Sequence, residues 1–428
     1  MDSGNTSPLR LPKMRMVRQS ADIPPSVDVM SEIEREWGKV KAHLPLAPGA
    51  SVAICVGSRG IANLAPVVEA VASKLKIAGY QPFVTPAMGS HGGATPEGQM
   101  EVLRARGISK DTVGVSIKAT MDVVPMGEVD GIPLFLDRLA HEADGIVLVN
   151  RIKPHTNFIG PTESGLIKMM AIGLGNQVGA EHYHRLTVVR SQYEIISTAG
   201  KALIHKSPVL FGVALFENQR HETAEIRFAL AKEIETVEAA LLKKARECLA
   251  TLPLNEIDLL IIDEMGKEIS GEGIDPNVVG RDVIAYGARR PLPKITRIFV
   301  RDLTEASEGS AVGIAQADFT TQRLVDKIDF HATAINCLTA CAPEAGKIPL
   351  AYATDREAIE AALMTLRPSE VADLRIVQIK NTMALMTLLV STACLPVVKE
   401  KPGILVDTDE LTLTFGDDGN LIPRTLGV

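Results

Sequence analysis

The sequence has few of the residues on which nucleic-acid-binding or disulfide-stabilised proteins depend. Aromatic side chains make up 4% of its 428 residues, and the formal net charge is −7 with a pI of about 5.8. Because bases stack on aromatic rings and phosphates need basic surfaces, this composition predicts that nucleic acid is not a partner. The five cysteines are odd in number and scattered, which favours a reducing cytoplasm over a disulfide framework.

Three further signals are missing. No Walker pattern and no strict G-x-G-x-x-G fingerprint occurs, so a standard nucleotide-binding loop is not predicted. Residues 1–18 are polar and basic without an apolar core, which predicts that they are not a signal peptide. The longest apolar stretch, 383–398, contains Thr387 and Ser391 and reaches Pro396. We therefore expect a buried helix there and no membrane span.

What the sequence does contain is a regular alternation of apolar runs and helical periods. Strands are predicted at 51–58, 81–88, 145–152, 209–218, 257–266, 295–304 and 374–382, and helices at 63–80, 95–108 and 231–252. This alternation is typical of a parallel sheet covered by helices. The sequence predicts two α/β domains, 1–252 and 253–398, with an active-site cleft between them. A C-terminal segment, 399–428, contains a predicted hairpin and can pack back on the first domain.

Two loops of the first domain carry candidate site residues. In open α/β sheets, ligands bind beyond the carboxyl ends of the strands. Arg59 lies there in a turn of small residues, which suits an anion, although a surface arginine would look the same. His91 lies between Gly89-Ser90 and Gly92-Gly93, and a histidine in such a loop can exchange protons near neutral pH. A merely hydrogen-bonded loop histidine is the alternative.

A third loop, 150–165, leads to the lysine that attracts most interest. Pro154 fixes the chain before His155, a second acid–base candidate, and Lys153 is either a solvated or an anion-binding cation. Lys168 then lies in an apolar run, 166–172. A buried lysine becomes a nucleophilic amine or an attachment point. A helix with one exposed face would instead let the lysine reach water, and the residues alone leave both readings open.

Two further segments offer metal ligands and cations. His182 and His184 share a face on a strand but not on a helix. Such a pair can supply one or two ligands to zinc, nickel or copper, and a zinc hydrolase based on it is an alternative. In the second domain, the glycine-rich segment 266–282 carries Lys267 and Arg281.

The first domain thus carries, in order, an arginine turn, a Gly-Ser-His loop, a Pro-His loop, a lysine and a histidine. This order resembles the lactate racemase family, whose members use nickel in a nickel-pincer nucleotide, pyridinium-3,5-bisthiocarboxylic acid mononucleotide. The resemblance covers most of the chain in order and approximate spacing and is specific only in the short motifs. It implies these roles: covalent cofactor attachment for Lys168, nickel ligation for His184 or His182, acid–base exchange for His91 and His155, substrate binding for Arg59, Arg281 and Lys153, and cofactor contacts for Ser90, Gly92 and Lys267.

The resemblance also implies an activity, the racemisation or epimerisation of a 2-hydroxy acid. The C2 hydride would move to the pyridinium ring and return to the other face, while two histidines exchange the hydroxyl proton. The implied partners are the hydroxy acid and cofactor maturation proteins, and a homo-oligomer is left open. Gly57-Ser58 stand where the family commonly has an acidic residue and a threonine. Lactate, malate, larger hydroxy acids and sugar acids therefore all remain open, as do another hydride-transfer reaction and a non-catalytic binding homologue.

Overall fold

The computed structural model describes residues 11–20, 23–284, 290–367 and 370–427. Contacts between residues divide them into two units: one is 23–249, and the other joins 11–20 to 250–427. Both units contain helices and mostly parallel sheets, which confirms the predicted α/β class. None of the helices in these described ranges is long and apolar enough to cross a membrane.

The strands of the described residues are β1 (Met14–Gln19), β2 (Ser51–Val56), β3 (Gln81–Pro86), β4 (Val123–Val129), β5 (Ile132–Asp137), β6 (Gly145–Arg151), β7 (Val209–Glu217), β8 (Thr223–Leu230), β9 (Glu256–Ile262), β10 (Lys294–Val300), β11 (Phe319–Thr321), β12 (Leu350–Tyr352), β13 (Ile376–Ile379), β14 (Thr387–Ser391) and β15 (Ile404–Val406).

The α-helices are α1 (Val29–Val40), α2 (Leu64–Ile77), α3 (Pro96–Ala105), α4 (Lys110–Val113), α5 (Arg138–Glu142), α6 (Leu166–Lys168), α7 (Asn176–Leu186), α8 (Gln192–Lys206), α9 (Ile234–Glu247), α10 (Pro276–Val279), α11 (Gln322–Asp326), α12 (Phe330–Thr339), α13 (Asp355–Met364) and α14 (Leu395–Val398). The short α6 continues directly into a π-helical stretch, Met169–Gly173.

The unit 23–249 is built on a five-stranded sheet with the order β3-β2-β6-β7-β8. All neighbouring strands are parallel except β7 and β8. Successive residues of a strand point to opposite faces. In β2, Val52 and Ile54 therefore pack into one core, and Ala53 and Cys55 pack into the other. A strand buried on both faces reads as a continuous apolar run, which is why β2, β6 and β7 were visible in the sequence.

The second unit is built on an eight-stranded sheet with the order β12-β11-β10-β9-β13-β14-β1-β15. The strands from β12 to β13 are parallel, and the remaining pairs are antiparallel. The predicted strands at 257–266, 295–304 and 374–382 are confirmed in β9, β10 and β13, each over fewer residues than predicted.

The structure corrects the predicted domain assignment at both ends of the chain. Residues 14–19, assigned to the first domain, form β1, which pairs with β14 in the sheet of the second unit. The segment 399–428, expected to reach the first domain, contributes β15 to the same sheet beside β1. The physical reason is that β1 and β15 extend this sheet beyond β14.

One local prediction fails in this unit, and another is confirmed only in part. The stretch 383–398 is not one buried helix, since it forms the buried strand β14 and the short helix α14. The predicted C-terminal hairpin is confirmed only at its end, where Phe415 and Leu421 form an antiparallel bridge and the N–H of Ile422 donates to the carbonyl oxygen of Thr414 at 3.0 Å. The strand β15 pairs with β1 instead. An apolar run gives no periodicity by which a buried strand differs from a buried helix.

Candidate functional site

The candidate residues of the unit 23–249 follow three neighbouring parallel strands. Arg59 follows β2, His91 follows β3, and His155 follows β6. Because β2 lies between β3 and β6 in the sheet, these loops leave the same edge side by side. The chain continues from β2 to β3 on one side of β2 and later to β6 on the other side. Such a reversal of the strand order creates a binding crevice at the carboxyl ends of the strands in α/β sheets.

Lys168 is the last residue of α6 and is only partly exposed. Its Nζ forms a short hydrogen bond with Nε2 of His155, and it has no ion pair with any carboxylate of the described residues. Burial, and then the positive charges of Arg59 and Lys153, lower the pKa of Lys168 to about 7. The amine is therefore substantially neutral at physiological pH, which makes it a nucleophile.

The ring of His155 is held in one orientation and is 8% exposed. It stacks on Phe158 with ring centroids 4.2 Å apart, and the backbone N–H of Asn157 donates to Nδ1 at 3.0 Å. The backbone N–H of His155 donates to Oε2 of Glu163 at 2.6 Å. With the ring fixed in this way, Nε2 is directed at Lys168.

The loop that carries His155 is closed at its base. Lys153 and Ser164 exchange two backbone hydrogen bonds of 3.0 and 3.2 Å. Inside the loop, Oε1 of the buried Glu163 accepts from the backbone N–H of Gly160 at 3.1 Å and pairs with Arg246. The sequence had identified Lys153 and His155 but not Glu163, whose structural role depends on contacts that no local pattern displays.

Glu238, on α9, fixes the start of the helix that carries Lys168. Its Oε2 accepts the backbone N–H groups of Leu166 at 2.8 Å and of Ile167 at 3.0 Å, so it caps α6. A Cβ on Gly165 would lie 2.4 Å from the Glu238 carboxyl carbon, so this contact requires glycine. Burial raises the pKa of Glu238 to about 7. Its Oε1 is buried and has no hydrogen-bond partner among the described residues.

Sequence reasoning missed Glu238, although a signal was present. Glu238 lies on the same face of its helix as Ile234, Leu241 and Leu242, all buried. A lone carboxylate on an apolar helical face needs a partner inside the protein. The partner was not predictable because it is a helix N-terminus 71 residues away in sequence.

The structure separates the two histidines proposed as metal ligands. Both lie on the helix α7, where residues two apart point in nearly opposite directions. His182 is exposed, bonds through Nδ1 to the carbonyl oxygen of Val178 at 2.9 Å and packs against Phe135. Burial, and then the charge of Lys168, lower the pKa of His184 to about 4. His184 is therefore a neutral imidazole on the Lys168 side of the helix.

His91 and Arg59 are linked through Ser58, a residue to which the sequence gave no role. The Oγ of Ser58 lies 2.5 Å from Nδ1 of His91, and the carbonyl oxygen of Ser58 accepts from Nε of Arg106 at 3.2 Å. Arg59 has no hydrogen bond or ion pair within the described part of the chain. Although the Arg59 side chain reaches solvent, the surrounding burial and the guanidinium groups of Arg151 and Arg106 lower its pKa. An unpaired guanidinium among other cations is suited to an anionic ligand.

Ser90 and Gly92, predicted as cofactor contacts, belong to the tight turn that holds His91. The backbone carbonyl of Ser90 accepts from the N–H of Ala94 at 3.1 Å. Gly92 has a φ of +66°, and a Cβ there would lie 2.5 Å from the backbone carbon of Gly98. The need for glycine at this position is thus explained by packing on α3, and a cofactor contact stays a prediction.

Arg281 and Lys267 lie in the other unit, where each is bound by neighbouring groups. The guanidinium of Arg281 pairs with Asp318 at 2.7 Å and donates to the carbonyl oxygen of Gln316 at 2.8 Å. Nζ of Lys267 donates to Oδ1 of Asn336 at 2.5 Å. These contacts give Arg281 a structural role within its own unit, and the substrate and cofactor roles of both residues stay predictions.

Two cavities lie away from this cluster. One, of about 470 Å³, is lined by residues 26–30 at the start of α1 together with Asn63 and His221. The other, of about 290 Å³, lies in the second unit around Arg281 and Pro293. The convergence of titratable groups at Lys168 is a better indicator of chemistry than these open depressions. No group of three or more His, Cys, Asp or Glu side chains within the described ranges could hold a metal ion.

Comparison with known proteins gives matches only among solved structures. No family model matches the chain, and no curated protein matches it. A crystal structure of a Thermotoga maritima protein matches with a TM-score of 0.50 at 14% identity, over 79% of this chain and 92% of that one. The lactate racemase apoprotein from Thermoanaerobacterium thermosaccharolyticum matches with a TM-score of 0.46 at 13% identity, over 66% and 69% of the two chains.

The match to the Thermotoga maritima protein shows that the two chains share a fold. At 14% identity it shows nothing about activity. Membership of the lactate racemase family therefore stays a prediction, and the case for function depends on the geometry around Lys168.

Replacement of Glu238 by glutamine tests the pH dependence that this site confers on stability. The folded chain holds the Glu238 proton up to a pKa of about 7, whereas the unfolded chain releases it near its ordinary pKa of about 4.3. Stability contributed by this group is thus present below pH 4.3 and lost as the pH rises through 7. Between pH 5 and 8, Glu238→Gln should gain about 3 kcal/mol of unfolding free energy relative to the unmodified protein.

Denaturant unfolding at pH 5 and pH 8 measures this difference. Glutamine can accept both backbone N–H groups through its oxygen, so the cap survives while the ionisable group is removed. Glu247→Gln, on the exposed face of the same helix, is the matched control and should show no such gain. Parallel pH curves for Glu238→Gln and the unmodified protein would contradict the account.

Proposed function

We propose that this protein is a racemase or epimerase of a 2-hydroxy acid that carries a nickel-pincer nucleotide on Lys168. The observation that carries the proposal is the hydrogen bond between Lys168 and His155, in a site where the charges of Arg59 and Lys153 lower the pKa of Lys168 and the charge of Lys168 lowers the pKa of His184. The order of the motifs resembles that of the lactate racemase family, and this resemblance indicates the chemistry. The geometry supports it, because the same residues converge on one lysine.

The residues present fit the proposed cofactor. Covalent attachment through an amide-type bond needs an unprotonated amine, and burial keeps Lys168 neutral over much of the physiological range. His184 would be available to hold the nickel, because imidazole nitrogen suits this metal and His184 remains a neutral imidazole far below pH 7. His182 makes a poorer ligand, since its Nδ1 is bonded to its own helix and its side chain faces Phe135.

The chain's own residues would handle the proton and the substrate charge. Arg59 and Lys153 supply positive charge for the substrate carboxylate and for other anionic groups. Ser58 holds Nδ1 of His91, so Nε2 is the nitrogen that would exchange the hydroxyl proton. When bound, the cofactor supplies a pyridinium ring that accepts and returns a hydride.

Two histidines on different loops suit a reaction that must work on both enantiomers. One base removes the hydroxyl proton of one enantiomer, and the other base must serve its mirror image. His91 lies on the loop after β3 and His155 on the loop after β6, on either side of the loop after β2 that carries Arg59. A substrate carboxylate held by Arg59 would then have one histidine on each side.

The covalent attachment is tested by mass spectrometry after co-expression with cofactor maturation proteins. We expect a nucleotide-sized adduct on the peptide that contains Lys168, and none in the Lys168→Arg variant, because a guanidinium is not nucleophilic at neutral pH. A lactate racemase expressed in the same cells serves as the loading control. An adduct on another lysine, or no adduct where the control is loaded, would overturn the assignment.

The nickel ligand is tested by a matched pair of substitutions on α7. In the loaded protein, His184→Ala should lower the nickel retained per chain at least about tenfold after desalting, a loss of roughly 1.4 kcal/mol in binding. His182→Ala should retain nickel within about twofold of the unmodified protein, a difference of under roughly 0.5 kcal/mol. Elemental analysis gives the nickel content, and the mass of the Lys168 adduct shows that loading itself is unchanged. Equal loss in both variants would contradict the assignment.

A further inference from the structure

Three arginines meet at the turn 58–62, which connects β2 to α2. Arg59 lies within the turn, and Nε of Arg106, at the end of α3, donates to the carbonyl oxygen of Ser58 at 3.2 Å. Burial, and then the positive charges of Arg151 and Arg106, lower the pKa of Arg59. Both of these guanidinium groups are therefore within electrostatic reach of Arg59.

An ion pair neutralises just one of the three arginines within the described ranges. Arg151 pairs with Glu217, whose Oε1 accepts the backbone N–H of Ala62 at 2.6 Å. Arg59 and Arg106 form no ion pair with the carboxylates of these ranges, and the N–H groups on Nη1 and Nη2 of Arg106 have no hydrogen-bond partner there. The turn thus carries two guanidinium groups whose charge is not balanced by a described carboxylate.

The guanidinium of Arg106 lies along the turn, close to an acid–base candidate. A Cβ on Gly60 would be 3.5 Å from Nη1 of Arg106. Ser58, whose carbonyl oxygen accepts from Arg106, also holds Nδ1 of His91 at 2.5 Å through its Oγ. Arg106 and His91 are therefore bonded to the same residue, next to Arg59 in sequence.

Two unbalanced guanidinium groups on one turn favour a ligand with two negative groups. A guanidinium can bind a carboxylate or a phosphate through two parallel N–H bonds. A single carboxylate on Arg59 would leave Arg106 without an anion. Since like charges repel, a ligand that brings a second anionic group relieves the repulsion more completely than a ligand with one.

We propose that the substrate is a 2-hydroxy acid with a second negatively charged group, a carboxylate or a phosphate, and that Arg106 selects for that group. Arg59 would hold the carboxylate next to the hydroxyl carbon, and Arg106 would bind the second group. Arg106 then determines specificity and takes no part in the proton or hydride transfer. The inference rests on the proposed function for the hydroxy acid, whereas the preference for two charges rests on the arginines at the turn.

Binding to the full-length unloaded protein tests this preference. Calorimetry is done at low and constant ionic strength, because salt screens such charges. Two pairs of probes differ in the second group, malate against 2-hydroxybutyrate and phosphoglycerate against glycerate, each as both enantiomers. We expect the dianion of at least one pair to bind at least about tenfold more tightly than its monoanion, since hydrogen bonds to charged groups are worth that much.

The two pairs also identify the second group. A preference for malate alone supports a carboxylate, and a preference for phosphoglycerate alone supports a phosphate. Equal binding within both pairs, or no measurable binding of either dianion, would overturn the proposal.

A matched pair of variants tests the part played by Arg106. In Arg106→Gln the amide nitrogen takes the place of Nε along the side chain, so it can still donate to Ser58 while the charge is lost. The preference for the dianion should fall at least about fivefold. Arg104→Gln removes the same charge from an exposed position of α3 and should keep the preference.

An unaltered preference in Arg106→Gln, or an equal fall in both variants, would refute the role of Arg106. Where Arg106→Gln fails to fold, the comparison of probes on the unmodified protein still decides the substrate class.

The phosphate of the proposed cofactor is a competing anion for these arginines. Racemisation rates in the loaded protein separate the two occupants. A higher kcat/KM for the dianion of the preferred pair would show that the second group belongs to the substrate. A preference that disappears on loading would show that the cofactor occupies the arginines, and this would overturn the proposal.

Failure of this inference differs from failure of the proposed function. A loaded protein that inverts monoanionic acids as well as their dianionic partners would overturn the inference and leave the function in place. Preferential binding of a dianion without inversion of any acid by loaded protein would support the ligand class and reject the racemase.

Discussion

The site depends on a lysine placed where its charge has no counter-ion. Lys168 is partly buried, the charges of Arg59 and Lys153 lower its pKa, and it forms no ion pair with the described carboxylates. A charged group removed from water without a partner is costly, so the lysine loses its proton instead. The proposed covalent attachment at Lys168 depends on this one constraint, because it needs a neutral amine.

Residues that are distant in sequence hold Lys168 in this position. Glu238 on α9 caps α6 and fixes the direction of the turn that ends in Lys168. The stretch that follows, Met169–Gly173, is π-helical, a form of helix that occurs frequently at functional sites. The loop with His155 is closed by the backbone bonds between Lys153 and Ser164. Each of these contacts is of an ordinary kind, and together they keep the amine of Lys168 in contact with the imidazole of His155.

The strands with strong apolar runs were predictable from the sequence, because burial on both faces of a sheet gives a continuous apolar run. The loops that follow them were predictable because Gly-rich turns are also local signals. It did not place β1 and β15, which join a sheet formed by residues far along the chain. Among the site residues, Lys168 stayed ambiguous because periodicity cannot show whether a lysine on an apolar helix meets water or another helix. His182 and His184 could be separated only once α7 was known to be a helix. Glu238 and Ser58 were missed because their partners lie in other elements.

The central claim is that a loaded protein inverts a 2-hydroxy acid by moving its C2 hydride and returning it to the other face. The direct measurement uses single enantiomers of lactate, malate and larger hydroxy acids, each carrying deuterium at C2, in ordinary water. Chiral separation with mass detection follows the product. We predict that the opposite enantiomer of at least one acid forms with its deuterium retained at C2. Inversion with loss of deuterium to solvent, or no inversion of any acid by protein shown to be loaded, would contradict the account.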